Sequence, residues 1–119
     1  YGGAHPAPGL LPDAVYGLTE FARAALPTAR LVACPGCYST AVLLALLPLV
    51  AAGAVSAERI TVNALSGVSG AGRSLKEANL FPEGAEAVHP YGIGHHRHMP
   101  EMEQELSARA GRDVRISFT

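Results

Sequence analysis

Thiols and imidazoles are the side chains of this sequence that can make and break bonds near neutral pH, and both are clustered. Cys34 and Cys37 lie in Leu31-Val32-Ala33-Cys34-Pro35-Gly36-Cys37-Tyr38-Ser39-Thr40. Three of the five histidines, His95, His96 and His98, fall within Tyr91-Gly92-Ile93-Gly94-His95-His96-Arg97-His98-Met99-Pro100-Glu101. A cysteine attacks as its thiolate, which forms most readily beside positive charge or at a helix N-terminus. An imidazole titrates near neutrality and can hold or deliver the proton such an attack requires.

The local sequence says how each group is held. Leu31-Val32 reads as the end of a buried strand, Pro35-Gly36 as a turn, and the Ala- and Leu-rich run from Ser39 to Ala52 as a helix. Cys37 thus stands where a strand gives way to a helix, at the dipole end that favours a thiolate. Three readings of the cysteines compete on pattern alone: a nucleophile at Cys37, a small buried residue, and a C-x-x-C redox pair or half a metal site. No second C-x-x-C exists, so a four-cysteine zinc site is excluded. The histidines admit a metal-binding H-x-H, surface groups at a helix entry, or a proton partner for Cys37. No Asp, Glu or Cys ligand stands at a recognisable spacing beside them, and no metal is assigned.

The elements that must position these groups follow from periodicity. The first twelve residues, rich in Gly and Pro, read as a loop; Thr19 reads as the cap of a short helix from Glu20 to Leu26. The helix after Cys37 is apolar nearly all round and should be buried on more than one side, with a kink near Pro48 and a stop at Gly53. Arg59 to Ser66 alternates as a strand, with Ile60, Val62 and Ala64 on one face. Ser66-Gly67-Val68-Ser69-Gly70-Ala71-Gly72-Arg73 permits close backbone approach to a ligand. It is not G-x-G-x-x-G, and it reads as well as a mobile loop. Residues 74 to 86 read as an irregular connection. Pro100 opens a helix with acids in its first turn, Met102, Leu106 and Ala110 as its buried stripe, and Gly111 as its stop. Asp113 to Thr119 alternates as a final strand.

Composition narrows the function classes. The chain has 119 residues, 49% of them hydrophobic, and a net charge of −1 with no basic block. That suffices for one small core and argues against nucleic-acid binding or a polybasic membrane patch. Two cysteines point to a reducing compartment, and the apolar run ending near Val55 is too short to cross a bilayer. No signal-peptide pattern is present, and a cytoplasmic location is expected.

Three motifs, in order, resemble those of N-acetyl-gamma-glutamyl-phosphate reductases, arginine-biosynthesis relatives of aspartate-semialdehyde dehydrogenase. The first is Pro35-Gly36-Cys37-Tyr38, with Cys34 where that family usually has Asn and Ser39 where it usually has Pro. The second is Ser66 to Arg73. The third is Gly94-His95-His96-Arg97-His98-Met99-Pro100-Glu101. Val15-Tyr16-Gly17-Leu18 also matches. The resemblance implies Cys37 as nucleophile and His96 as catalytic base, with Arg97 and His98 on the substrate side. It implies that Ser69 and Gly70 lie against a nicotinamide cofactor (NADPH/NADP). Arg73 is then a candidate for the substrate's phosphate or carboxylate, which guanidinium suits by its fork of donors.

The implied reaction reduces N-acetyl-L-glutamyl 5-phosphate to the 5-semialdehyde, releasing inorganic phosphate, through a Cys37 thioester. The implied fold is α/β, an internal fragment joining the end of a Rossmann-type cofactor domain to the start of an α+β substrate domain. Residues 1–37 would be the tail of the first, 38–55 the catalytic helix and crossover, and 56–119 the beginning of the second. The parent protein is expected to be a homo-oligomer. A thiol redox module using Cys34 and Cys37, or a non-catalytic binding or assembly segment, are the alternatives.

Overall fold

The computed structural model describes residues 3–119, so Tyr1 and Gly2 of the expected N-terminal loop lie outside the described residues. The rest of that loop ends in a 3-10 helix, Pro8–Asp13, where proline at the start supplies a fixed φ and needs no donor. Strand β1 (Ala14–Tyr16) follows, then a single turn of helix α1 (Thr19–Ala22). Thr19 is not its cap: Leu18 holds that position with no side-chain bond, because it is buried in the core and orients the chain by packing.

Strand β2 (Leu31–Ala33) pairs in parallel with β1, Val15 opposite Val32. Leu31 and Val32 remain 41% and 40% exposed, against the buried strand expected, because this sheet has only two strands among the described residues and its β2 strand is exposed throughout. Helix α2 (Cys37–Ala51) begins two residues earlier than the pattern predicts and runs on through Pro48. It buries Tyr38, Ser39, Val42, Leu43 and Leu47, while Leu44 and Leu49 stay exposed. The all-round apolar surface is therefore covered on one side within this chain.

That covered side meets helix α4 (Met99–Ala110), whose Met102 and Leu106 are fully buried as its spacing predicts. Gly111 ends α4 at φ 66°, the left-handed turn that glycine adopts without penalty. Strands β3 (Ile60–Val62) and β4 (Ile116–Phe118) form a second parallel pair, Ile60 opposite Ile116. Val114, Ile116 and Phe118 are buried and their alternate neighbours exposed, so the alternation read from the sequence holds. One core joins Leu18, Leu43, Leu47, Met102, Leu106, Val114 and Phe118. Between β3 and α4 the chain is mostly exposed, with two 3-10 turns and the short helix α3 (Phe81–Gly84). The whole is a mixed helix and strand fold of the α/β kind.

Candidate active site

Cys37 is the first residue of α2 and is exposed. Its placement is set by Gly36, the N-cap, held extended at φ −65°, ψ 158°. Thr40 closes the first turn by donating both its N–H (2.8 Å) and its hydroxyl (2.9 Å) to the Gly36 carbonyl. Among the described residues, the N–H groups of Cys37, Tyr38 and Ser39 have no acceptor. Unpaired first-turn donors and the helix dipole together favour negative charge at this point.

Three side chains close on this turn from other elements. His98, at the entry to α4, lays its ring against Gly36: a methyl there would come 2.5 Å from Nε2 and 2.7 Å from Cε1. The turn that carries Cys37 therefore passes the imidazole only because residue 36 has no side chain. Glu101, in the first turn of α4, accepts the Gly36 N–H at 2.9 Å through Oε1. The same oxygen accepts the Tyr16 hydroxyl at 2.7 Å, reaching to the end of β1. Burial works to raise the Glu101 pKa, but the Gly36 N–H, Tyr16, Ser39 and His98 outweigh it and the carboxyl sits below its ordinary value. Ser39 Oγ is buried without a partner in bonding geometry, yet its dipole lies near enough to favour that charge. The Tyr16 phenol is raised far above its usual range, by burial first and then by Glu101, so it stays a donor.

His96 is buried behind this contact in an aromatic cluster. Its ring meets Tyr38 edge-on (5.4 Å between centroids), His98 at 4.8 Å, Tyr91 at 5.3 Å and Phe118 at 5.0 Å. Tyr38, the residue after Cys37, is thus the link between helix α2 and His96. The His98 N–H donates to His96 Nδ1 at 3.1 Å, so the neutral His96 ring carries its proton on Nε2. Burial, then the charges of His98, Arg97 and His95, lower the His96 pKa and keep the ring neutral at physiological pH. Tyr91 donates to the Tyr38 hydroxyl at 3.2 Å, and its own pKa is pushed up to about 12 by burial and then by Tyr38.

Of the residues expected on the substrate and cofactor side, His98 is drawn into this cluster, while Arg97, Arg73, Ser69 and Gly70 are not. Arg97 points to solvent, and among the described residues neither it nor Arg73 forms an ion pair. Ser69 and Gly70 stand in an exposed 3-10 turn, Val68–Ala71, with open space over Gly72 and only the loop's own Ser66 near Gly70. Cys34 and Cys37 are both free thiols, separated by a stretch with no turn or bend. Among the described residues no three His, Cys, Asp or Glu side chains converge on one point.

Glu101 and Tyr16 were outside the sequence-based assignment of roles. Both sit inside segments that match the reductase motifs, which is the signal that points to them.

A model of the family described as "Semialdehyde dehydrogenase, dimerisation domain" matches residues 37–119, more than half of the chain. The whole chain is 55% identical to N-acetyl-gamma-glutamyl-phosphate reductase of Rhodospirillum rubrum, covering 34% of that protein. It is 53% identical to the protein of that name in Afipia carboxidovorans, covering 34% of it. It is 56% identical to a probable N-acetyl-gamma-glutamyl-phosphate reductase, chloroplastic, of Oryza sativa subsp. japonica, covering 29% of it. The chain spans about a third of the length of these curated relatives. Its residues from Cys37 onward begin at the nucleophile candidate and end in the core strand β4, and the chain belongs to the semialdehyde dehydrogenase dimerisation-domain family.

Proposed function

We propose that this chain is the catalytic segment of an NADPH-dependent reductase that converts N-acetyl-L-glutamyl 5-phosphate to N-acetyl-L-glutamate 5-semialdehyde and phosphate. The observation that carries this reading is the exposed Cys37 thiol at the first position of α2, with unpaired N–H donors around it and His98 against its turn. The names of the relatives supply the substrate class.

The roles in this reading are those the family resemblance implies, supported by the exposed thiol and the imidazoles near its turn. The Cys37 thiolate attacks the acyl carbon and phosphate leaves, giving a thioester. The first-turn N–H groups of α2 face the oxyanion of that step. Arg73 and Arg97, both exposed and without ion-pair partners among the described residues, take the substrate's phosphate and carboxylate, and His98 lines the substrate side. His96 manages the proton of the reacting oxygen: as the thiohemiacetal collapses the hydroxyl gives up its proton, the C–S bond breaks, and the aldehyde departs with the Cys37 thiolate restored. Ser69 and Gly70 would hold the nicotinamide ring, and NADPH bound there supplies hydride.

In this reading residues 1–37 are the tail of a Rossmann-type cofactor domain, 38–55 the catalytic helix and crossover, and 56–119 the first part of a substrate domain. The intact protein is a cytoplasmic homo-oligomer, in keeping with the family's dimerisation-domain description. No helix among the described residues is long and apolar enough to cross a membrane.

The test runs the reaction backwards in the intact protein, following NADP reduction by N-acetylglutamate semialdehyde with and without inorganic phosphate. Turnover is expected to require phosphate and to vanish in Cys37→Ser. Turnover that ignores phosphate would rule out the acyl-phosphate reading. His96→Asn at full rate would remove His96 from proton transfer and leave the nucleophile in place.

A further inference from the structure

The Tyr16–Glu101–Gly36 contact is a separate device from the groups that touch substrate in the reading above. One carboxylate oxygen joins three elements: the end of β1, the cap of α2 and the first turn of α4. The partners lie 85 and 65 positions from Glu101 in sequence, so the bond is a tertiary clamp and not a feature of local turn geometry. Glu101 is half-buried and forms no ion pair among the described residues. Its charge is satisfied by an N–H and a hydroxyl, which suits orientation more than attraction. His98 stands three residues earlier, at the N-cap of α4, and its ring touches the same glycine. Residues three apart share a helix face, so α4 presents His98 and Glu101 together to Gly36. A small shift of α4 would otherwise move the imidazoles relative to Cys37.

We propose that Glu101 is a positioning residue for the Cys37 nucleophile: by holding the Gly36 N–H in a fixed bond it sets the first turn of α2 against His98 and His96, with Tyr16 fixing the carboxylate in turn. The inference rests on the assignment of Cys37 as nucleophile. It predicts that the acceptor oxygen matters more than the charge, because both hydrogen bonds fall on the one atom Oε1. Glutamine keeps such an oxygen and loses the charge, while alanine loses both. A displacement of about 1 Å between reacting groups can cost about a hundredfold in rate.

The experiment uses the intact protein with Glu101→Ala, Glu101→Gln and Tyr16→Phe, in two measurements. The first is steady-state kinetics in the phosphate-dependent direction. The expected result is a fall in kcat of about a hundredfold in Glu101→Ala with KM within about threefold, recovery to within about tenfold of wild type in Glu101→Gln, and a loss of about threefold to tenfold in Tyr16→Phe. The second is the rate of iodoacetamide alkylation, read peptide by peptide. Cys37 is expected to slow at least about threefold in Glu101→Ala and not in Glu101→Gln, while exposed Cys34 serves as the internal reference and keeps its rate.

Equal losses in Glu101→Ala and Glu101→Gln would make charge the cause and overturn the positioning role. So would wild-type kcat in Glu101→Ala. If the alanine variant does not fold, the glutamine and phenylalanine variants carry the test, since each removes one property and keeps the packing volume. Wild-type Tyr16→Phe together with a glutamine variant as impaired as Cys37→Ser would overturn it. If the wild-type protein shows no phosphate-dependent turnover, the functional reading fails on its own. The alkylation pattern then decides the positioning role separately, an unchanged Cys37 rate in all three variants overturning it.

Discussion

His96 carries a consequence for stability that is separate from chemistry. Burial first, and then neighbouring positive groups, lower its pKa in the folded chain below the ordinary value of 6.5. The unfolded chain therefore binds the proton more readily. The sign follows from linkage: the neutral ring's contribution is complete above about pH 6.5 and is lost as pH falls toward the folded value. Urea unfolding of the intact protein should show stability declining from about pH 7 to about pH 5, with a shallower decline in His96→Gln. Matching slopes would mean that the buried ring is not the cause. At this scale the sequence was partly legible. Cys37 and the paired histidines announce themselves by residue type and by motif. Glu101 reads in sequence only as an acid in a first helical turn, where a carboxylate is favoured for local reasons. Its partners at Tyr16 and Gly36 are too distant along the chain for any periodicity to connect them.

Among the elements, α2 and α4 carry the site between them, one presenting Cys37 and the other His98 and Glu101. Their packing holds the two sets of groups in register through Leu43, Met102 and Leu106, all fully buried. Leu106→Ala removes a side chain with no exposure and leaves a cavity at that contact. Such changes cost about 2–5 kcal/mol, and the loss should appear as a lower urea midpoint with an unchanged slope. A cost under about 1 kcal/mol would mean that the interface collapses around the gap. The stripe of α4 and the alternation of β4 were readable because each buries one face against a core that this chain contains. The apolar periphery of α2 and the pair Leu31-Val32 misled, since apolar residues signal burial without saying by what. Leu31, Val32, Leu44 and Leu49 are all more than a third exposed here. Helix α1 was over-read for another reason: a capping residue and three apolar positions cannot hold a helix longer than its packing supports, and it ends at Ala22.

Across the whole molecule, order is unevenly spread. The core gathers the two long helices, the β3–β4 pair and Tyr16 of β1, while the stretch from Leu65 to Ile93 exposes Leu65, Leu75, Phe81 and Val88 by 77% or more each. Its hydrogen bonds are almost all local. A segment with few buried contacts opens at little cost and is cut first by proteases. Trypsin acting on the intact protein should cleave early after Arg73 and Lys76, and saturating NADP should slow both cuts if Ser69 and Gly70 face the nicotinamide. Cleavage indifferent to NADP would count against that contact.

The parallel pairing of β3 with β4 also has a history in time. Val62 finds its partner in Phe118, 56 positions later along the chain. A ribosome adding about 5–20 residues per second takes about 3–11 s to deliver that partner. Throughout that interval β3 is a strand with no ladder, and α2, made just before it, is the apolar surface it can rest on. Pairing this distant is slow to close even in a finished chain, because a long loop must be ordered before the contact repays it. The half-made sheet is therefore the stage at which a nascent chain is most open to pairing with a neighbour, and folding yield should respond to translation speed between Val62 and Ile116 more than elsewhere.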